Sequence, residues 1–532
     1  MTVDAKTNVP VSTKVLVIGG GPAGSYAATV LAREGLEVTI LERDHFPRYH
    51  IGESMLPSLR SFLRFIDAED KVAERGFAVK RGAAVKLHQN KREGYTDFCK
   101  PNPDNWSWNV VRSEFDEVLL RHAASCGAKV YEGIRVDALL FSSPVDHDKL
   151  QAAHPIAAQW TRPADKTNGV ISFDWLIDAS GRNGIMSTKY LKSRTFNPNL
   201  KNTAQWGYWR GGGTYMPGTD RHNAPFFEAL TDESGWAWYI PLHDGTISVG
   251  IVEAEDRNRQ KKSELRSECS SEDVLRAHYL RELERVPHLR HLLGNAMFAD
   301  DKGDVRTAGD YSYNSKAYGG TNWRLAGDAA SFIDPFFSSG IHLALTGGLS
   351  AASTIAAVIR GDCTARQGAD FHHSKVGTAF TRFLFIVLGI YKQIRAQEEP
   401  VMFEVDEDNF DRAFQFLRPI IQGAADTDSS VTESELQATM TFCQNIFSDS
   451  QSPHARDKVD LLVKSGVAGD VQRIDELANG DTEVKNLLLR LSARKSLHDM
   501  YECKRYFGSE ILGGYSVRME RGSLGLIHVS PV

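Results

Sequence analysis

Apolar positions fall first into a short β-branched run, Lys14 to Ile18, that ends on three glycines, then into a helical stretch, Ala23 to Glu34, and then into a second run, Leu36 to Leu41, closed by Glu42. Strand, tight turn, helix and strand in that order predict a βαβ unit with parallel strands. Lys129 to Phe141, Ala157 to Thr161 and Val170 to Asp178 predict three more strands, separated by polar, proline-bearing loops, as a small meander on the same sheet. Thr203 to Val252 is again strand-like and dense in Trp, Tyr and Phe, which predicts a second sheet. The charged stretch Glu253 to Asp273 is expected as an exposed connection leading into helical Val274 to Leu293. A short strand, Arg324 to Ala326, runs into Gly327-Asp328, and Gly340 to Arg360 reads as an Ala/Leu/Gly-rich helix. Beyond Ala369 the periodicity is mostly helical, interrupted by a polar stretch, Gly423 to Glu433, expected as a surface loop. There is no internal repeat and no low-complexity segment.

Composition narrows the class. The 532 residues are 42% hydrophobic and 24% charged, the balance of a globular protein rather than a disordered or fibrous one. Net charge is −6, so no basic surplus is available to displace phosphate counterions, and nucleic acid is not expected as the main partner. Cys99, Cys126, Cys269, Cys363, Cys443 and Cys503 are widely spaced and none falls in a metal-ligand pattern, so no metal is expected and a reducing, cytoplasmic setting fits. Met1 to Lys14 is polar, without the apolar core of a secretory signal. The longest apolar run, Phe383 to Tyr391, has nine residues, about half of a bilayer span, so a buried helix is expected and no membrane span.

Candidate chemistry begins at Gly19-Gly20-Gly21-Pro22-Ala23-Gly24. This fits G-x-G-x-x-G, in which the first glycine makes the turn, the second admits a pyrophosphate to the backbone, and the third packs helix on strand. Glu42 ends the next strand 18 residues after Gly24, where an acid would meet a ribose hydroxyl. Asp178-Ala179-Ser180-Gly181-Arg182-Asn183-Gly184 and Arg324-Leu325-Ala326-Gly327-Asp328-Ala329-Ala330 each close a strand. Ser338-Ser339-Gly340 opens a long helix, whose free N–H groups and dipole suit an anion. Gly235-Trp236-Ala237-Trp238-Tyr239-Ile240-Pro241 places two indoles on one strand face, where they could simply be core.

The three glycine-rich strand ends resemble the dinucleotide signatures of para-hydroxybenzoate-hydroxylase-like flavoproteins. That resemblance implies a Rossmann-like FAD-binding fold, with Asp328 near the ribityl chain and Arg112 near the cofactor. W-x-W-x-I-P resembles the signature of the flavin-dependent halogenases, most closely the fungal phenolic group, over roughly residues 12 to 360. The segment Gly76-Phe77-Ala78-Val79-Lys80-Arg81-Gly82 resembles the stretch that holds their catalytic lysine, which implies that role for Lys80. Arg48 to Pro57 resembles the loop between flavin and substrate, with Glu53 implied at the FAD. The same likeness implies a halide (chloride or bromide) at Ser339 and Gly340, Ile341 close to the flavin ring, and Trp236, Trp238 and Phe337 along the substrate channel.

What the family implies is an α/β enzyme with a second mixed β-sheet substrate region and a helical C-terminal region. The core is expected over residues 1–365, with the FAD fold mainly 12–75, 105–200 and 300–365 and the substrate-side sheet mainly 76–104 and 203–299; residues 366–532 are expected as the helical region. The implied reaction takes reduced FAD and O₂ to a flavin hydroperoxide, which oxidises halide to hypohalous acid that Lys80 then presents to a phenol. Tryptophan halogenases carry Glu where this chain has Phe337. A phenol activates its own ortho and para carbons and does without that carboxylate. Carrier-tethered halogenases share the Phe-Ser-Ser-Gly form, so a carrier-bound substrate stays open, as do an aromatic hydroxylase and a flavin-binding protein without turnover. No second G-x-G-x-x-G unit follows the first, so a separate flavin reductase is the expected source of FADH₂.

Overall fold

Val15, Leu16 and Val17 are wholly buried, as expected of a parallel strand covered on both faces. In this computed structural model, which describes residues 8–100, 102–268, 273–309, 312–398, 410–427, 484 and 510–529, their strand Ser12–Ile18 lies inside a seven-stranded sheet. The order across the sheet is Lys129–Tyr131, Val38–Leu41, Ser12–Ile18, Thr167–Asp178, Pro155–Arg162, Arg135–Phe141, with Trp323–Leu325 also paired to Thr167–Asp178. Register matches Ile18 to Asp178 and Asp178 to Leu325, all in parallel pairs. The three glycine-bearing turns therefore leave the carboxyl ends of three adjacent parallel strands, where ligands of open α/β sheets bind. Helix Pro22–Arg33 supplies the crossover and packs beside helix Gly340–Arg360.

The expected meander forms from Arg135–Phe141, Pro155–Arg162 and Thr167–Asp178, but the single strand expected over Lys129 to Phe141 is divided. Gly133, at φ +71°, turns the chain, and the stretch becomes two strands at opposite edges of the sheet, one parallel and one antiparallel. The second sheet has eight strands, running Met297–Phe298, Asn202–Arg210, Thr246–Ala254, Gly235–Pro241, Phe226–Ala229, Gly82–Lys86, Gly94–Asp97, with Arg306–Ala308 against Asn202–Arg210. A separate two-stranded ribbon pairs Ala78–Lys80 with Ser107–Asn109.

The described part of Glu253 to Asp273 is mostly exposed as expected, but it is not a bare connection: Glu253 is a wholly buried strand residue, and Glu255–Glu268 is helical. Lys261 on that helix bonds Glu253 at 2.8 Å, Glu282 at 2.6 Å and Asp232 at 2.7 Å, so this ammonium answers the buried carboxylates beside His278. Val274 to Leu293 is two helices, Val274–Leu283 and Pro287–Leu293, because Pro287 can begin a helix but not continue one.

Helix Gly340–Arg360 has the expected bounds and is followed by Ala365–Ile394, whose Phe383 to Tyr391 stretch is mostly buried. Both are long and apolar enough to cross a membrane by length and composition, but most of the first and over half of the second is covered by the rest of the fold. Asp411–Ile421 and Ala424–Thr427 continue the helical region. The expected surface loop from Gly423 is therefore helical at its start, with Asp426 buried, and its remainder lies outside the described residues. Asp426 accepts from His342 Nε2 at 3.0 Å, His342 Nδ1 meets Ser58 Oγ at 2.9 Å, and Lys375 Nζ bonds Asp426 at 2.7 Å. Phe62 and Phe383 close over the imidazole, so this relay ties helices together rather than facing a cavity.

The C-terminal region also carries a hairpin, Tyr515–Arg518 with Gly525–His528. Glu34, at the end of the first helix, accepts from the Gly522 and Leu524 amides at 2.9 and 3.1 Å and from Arg360 at 2.7 Å, and Leu524 is wholly buried in the core of the first sheet.

Candidate active site

The glycine turn has the shape of a cradle. A Cβ on Gly19, which sits at φ +102°, would lie 2.2 Å from the Ala179 carbonyl, and one on Gly24 would lie 2.0 Å from the Gly19 carbonyl. Those two glycines are needed for chain packing. Gly21 is different: its Cβ would meet only the Arg48 guanidinium at 3.4 Å, so its bare face is open to a ligand. Gly21 caps the helix Pro22–Arg33 without any side-chain hydrogen bond, leaving the first-turn donors for an anion. Ala23, buried behind the turn, keeps the helix close to the sheet. Glu42 accepts from the Gly20 amide at 2.6 Å and the Asp44 amide at 2.8 Å, which fixes its carboxylate at the strand end with lone pairs to spare.

Asp178 caps its own turn by accepting from Ser180 Oγ at 2.6 Å and the Met186 amide at 2.8 Å. Asp328 is half-buried, and burial pushes its carboxyl up to about 6 against the pull of Arg112, Arg182 and Arg194. Arg112 opens helix Arg112–Ser125, grips Asp116 through two bonds of 2.8 and 2.9 Å, and donates to the carbonyls of Ile51 at 2.7 Å and Gly52 at 3.2 Å. It thereby holds the loop that carries Glu53. Tyr208 donates to Glu53 Oε1 at 2.7 Å, while Glu53 Oε2 is buried without a partner. Burial pushes this carboxyl up to about 7.

Strand alternation turns Val79 out, 47% exposed, and Lys80 in, 2% exposed. Lys80 Nζ donates to the Met55 carbonyl at 3.0 Å and lies 5.0 Å from the centre of the Phe98 ring. Among the described residues no carboxylate pairs with it, and burial alone brings the amine down to about 7. Across the ribbon, Asn109 donates to the Pro241 carbonyl at 3.2 Å, which joins the lysine ribbon to the end of W-x-W-x-I-P.

Trp236 and Trp238 are both buried, their rings 5.9 Å apart, and Trp236 packs edge-on to Phe336 at 4.9 Å. Trp236 Nε1 donates to Tyr391 at 2.8 Å, and Tyr391 donates to Asp334 at 2.7 Å. Asn202 also donates to Asp334, at 3.1 Å, and Asp334 caps the turn ahead of Phe337 through the Phe336 amide. Phe337 is buried in the same aromatic cluster. Ser338 takes φ +56°, after which Ser339 and Gly340 begin the long helix. The Ser339 hydroxyl is buried with no partner, nothing lies within 4 Å of a Cβ built on Gly340, and Ile341 is buried just beyond. Tyr391→Phe is expected to orphan the Trp236 N–H and loosen Asp334 at a cost of about 1–3 kcal/mol, measured as a lower urea midpoint.

Several members of this arrangement carry no sequence signal of their own. Met55 contributes only a carbonyl, and Tyr208, Asp334 and Tyr391 reach the quoted motifs from distant strands and helices. Tyr49, which accepts from Trp206 Nε1 at 2.6 Å and meets the Tyr208 hydroxyl at 3.1 Å, falls within Arg48 to Pro57, where nothing in its spacing marks it.

Bare glycine faces over a helix start, three strand ends at one sheet edge, and orphaned polar atoms on Glu53 and Ser339 fit a bound dinucleotide and define a flavoprotein oxidoreductase of the FAD-binding Rossmann type. Comparison with known proteins refines that class. The tryptophan halogenase family matches residues 14–103 and 86–415. A flavin-dependent halogenase of Armillaria mellea is 59% identical over 98% of this chain and 99% of its own length, and one of Acremonium egyptiacum is 47% identical over 97% and 93%. Among solved structures, the flavin-dependent halogenase CmlS superposes with TM-score 0.64 at 28% identity, covering 81% of this chain and 76% of that one. The halogenase PltM, solved with phloroglucinol and FAD, shares the fold with TM-score 0.63 at 15% identity over 92% and 97%. The chain belongs to the flavin-dependent halogenases, and its activity is FAD-dependent halogenation.

Proposed function

We propose that this enzyme chlorinates a free, electron-rich phenolic natural product, using FADH₂ from a separate reductase, with Lys80 presenting the halogen. The carrying observation is the buried Lys80 amine, held by a single carbonyl and brought by desolvation to about 7. At neutral pH such a lysine is divided between two useful forms. The ammonium donates a hydrogen bond to hypohalous acid, and the neutral amine attacks its halogen, forming N–Cl and releasing water. Bound FADH₂ supplies, with O₂ and halide, the hypohalous acid itself.

The chain's own residues fill the remaining roles in this reading. Gly21 and the uncapped first turn of Pro22–Arg33 receive the pyrophosphate, and Glu42 receives a ribose. Arg112, fixed by Asp116, and Asp328 border the cofactor. Ser339 and Gly340 offer the halide an N–H pair and an unpartnered hydroxyl. The aromatic wall of Trp236, Trp238 and Phe337 excludes water and keeps the organic substrate from the flavin. Phe337 in place of a carboxylate supports a substrate that activates its own ring, and PltM, a fold relative, was solved with a phenol.

Incubation with a flavin reductase, NADH, FAD and chloride against a panel of free phenols, read by isotope pattern, tests the proposal. Monochlorinated phenol is expected. Oxygenated product formed equally without chloride would sink it, and conversion only of carrier-tethered phenol would overturn the free-substrate reading.

A further inference from the structure

Glu53 lies between the two halves of the site: Arg112 holds the carbonyls just before it, and Lys80 holds the carbonyl of Met55 just after it. A buried carboxylate with one orphaned oxygen in such a place needs a route for its proton. Tyr208 donates to Glu53 Oε1 at 2.7 Å, and the Tyr208 and Tyr49 hydroxyls are 3.1 Å apart. Because Tyr208 spends its proton on Glu53, Tyr49 is the donor in that second bond. Trp206 Nε1 donates to Tyr49 at 2.6 Å and fixes its hydroxyl. Tyr49 is 46% exposed, and the Arg306 guanidinium lies over its ring at 4.2 Å. The three side chains thus form an unbroken hydrogen-bonded chain from a partly exposed tyrosine, whose hydroxyl lies on its more buried side, to the buried Glu53.

We infer that Tyr49, Tyr208 and Glu53 form a proton wire that delivers one proton per turnover from solvent to the cofactor side of the site. The inference rests on the halogenation reading, whose balance consumes one proton per turnover. FADH₂, O₂, halide, one proton and ArH give ArX, FAD and two waters: the C–H and O–O bonds break, the C–X bond forms, O₂ is reduced, and halide and flavin are oxidised. One proton is consumed overall. In the inward transfer, Tyr208 passes its proton to Glu53 as Tyr49 passes its own to Tyr208, and water restores Tyr49. The proton arrives on Oε1, so a turn of the Glu53 carboxyl carries it to the inner side, and without that turn it returns to Tyr208 along the same oxygens. Burial places the carboxyl near 7, so both forms are populated at neutral pH. The charges that face Glu53 are Arg112, which favours its anion, and Asp244, which opposes it; Arg306 faces Tyr49.

The test uses full-length protein without added flavin, so that it stands apart from halogenation. A light-triggered proton release is followed by infrared detection of the Glu53 carboxyl band, identified by its loss in Glu53→Gln. Tyr49→Phe breaks the chain one oxygen away from Glu53. It is expected to slow carboxyl protonation at least ten-fold while leaving the titration midpoint nearly in place. Tyr208→Phe is expected to slow it and also to raise the midpoint, because the charged form loses its donor. Protonation of Tyr49→Phe at the wild-type rate would overturn the wire, whatever its halogenation activity. In the loaded enzyme, Tyr49→Phe is expected to lower kcat most at alkaline pH with KM for the phenol unchanged; an unchanged kcat across pH would equally overturn it.

Discussion

Lys80→Ala is expected to lower halogenation by about 10²–10⁴-fold, the range that a lost acid–base or nucleophilic group accounts for, while FAD binding and oxidation of reduced flavin by O₂ persist. The lysine contacts the Met55 carbonyl and the Phe98 ring and none of the glycine turn, so the cofactor has no reason to leave with it. Flavin titration by fluorescence alongside chlorinated product yield checks both halves, and loss of flavin binding would reassign the residue. Lys80→Arg is expected to fail as well, because a guanidinium stays protonated and cannot act as an amine nucleophile. Lys80→Met makes the stability side visible. The folded amine titrates near 7 and an unfolded lysine near its ordinary value, so between these the unfolded chain binds more protons and wild-type stability rises with pH. The burial cost is fully present below that window. Lys80→Met is therefore expected to unfold at higher urea than wild type at pH 6, with the gap narrowing toward pH 10, even as it loses halogenation.

Gly340→Val is expected to raise the chloride concentration for half-maximal rate by between about 2-fold and about 30-fold, the equivalent of about 0.3–2 kcal/mol for an anion at a helix start. The open space around a Cβ at Gly340, and its ordinary helical backbone, mean that valine fits without strain, so the effect falls on the ligand and not on folding. Ser339→Ala is expected to do less, since the amide remains and the lost hydroxyl has no protein partner. A chloride dependence identical to wild type in Gly340→Val, with unchanged melting temperature, would move the halide elsewhere.

The parts of the fold that were legible in sequence are those set by short-range rules. The glycine turn, its flanking strands and the helix from Gly340 to Arg360 are local, and Gly361 at φ +82° stops that helix where an αL residue should. Lys129 to Phe141 misled because alternation alone does not show that Gly133 sends the chain to the far edge of the sheet. Over Glu253 to Asp273 charge correctly signalled an exposed face but hid the helix and the buried Glu253, whose charge Lys261 answers. Within the candidate site, the family motifs pointed at Lys80, but its state depends on Phe98 and on a carbonyl 25 residues upstream. The Tyr49 and Tyr208 hydroxyls meet across 159 positions of chain, and Trp236 reaches Tyr391 across 155. No periodicity carries contacts of that range.

The hairpin between Tyr515 and His528 has a consequence for how the protein is made. Leu524 completes a core begun by Val15 and Val17, and Glu34 waits for amides of Gly522 and Leu524. Glu34, at the end of the first crossover helix, is therefore synthesised nearly five hundred residues before the Leu524 amide it accepts from. Until that hairpin emerges, the face of the first sheet's helices that it covers stays open in the nascent chain, so the hairpin acts as a late closing latch and not as an appendage.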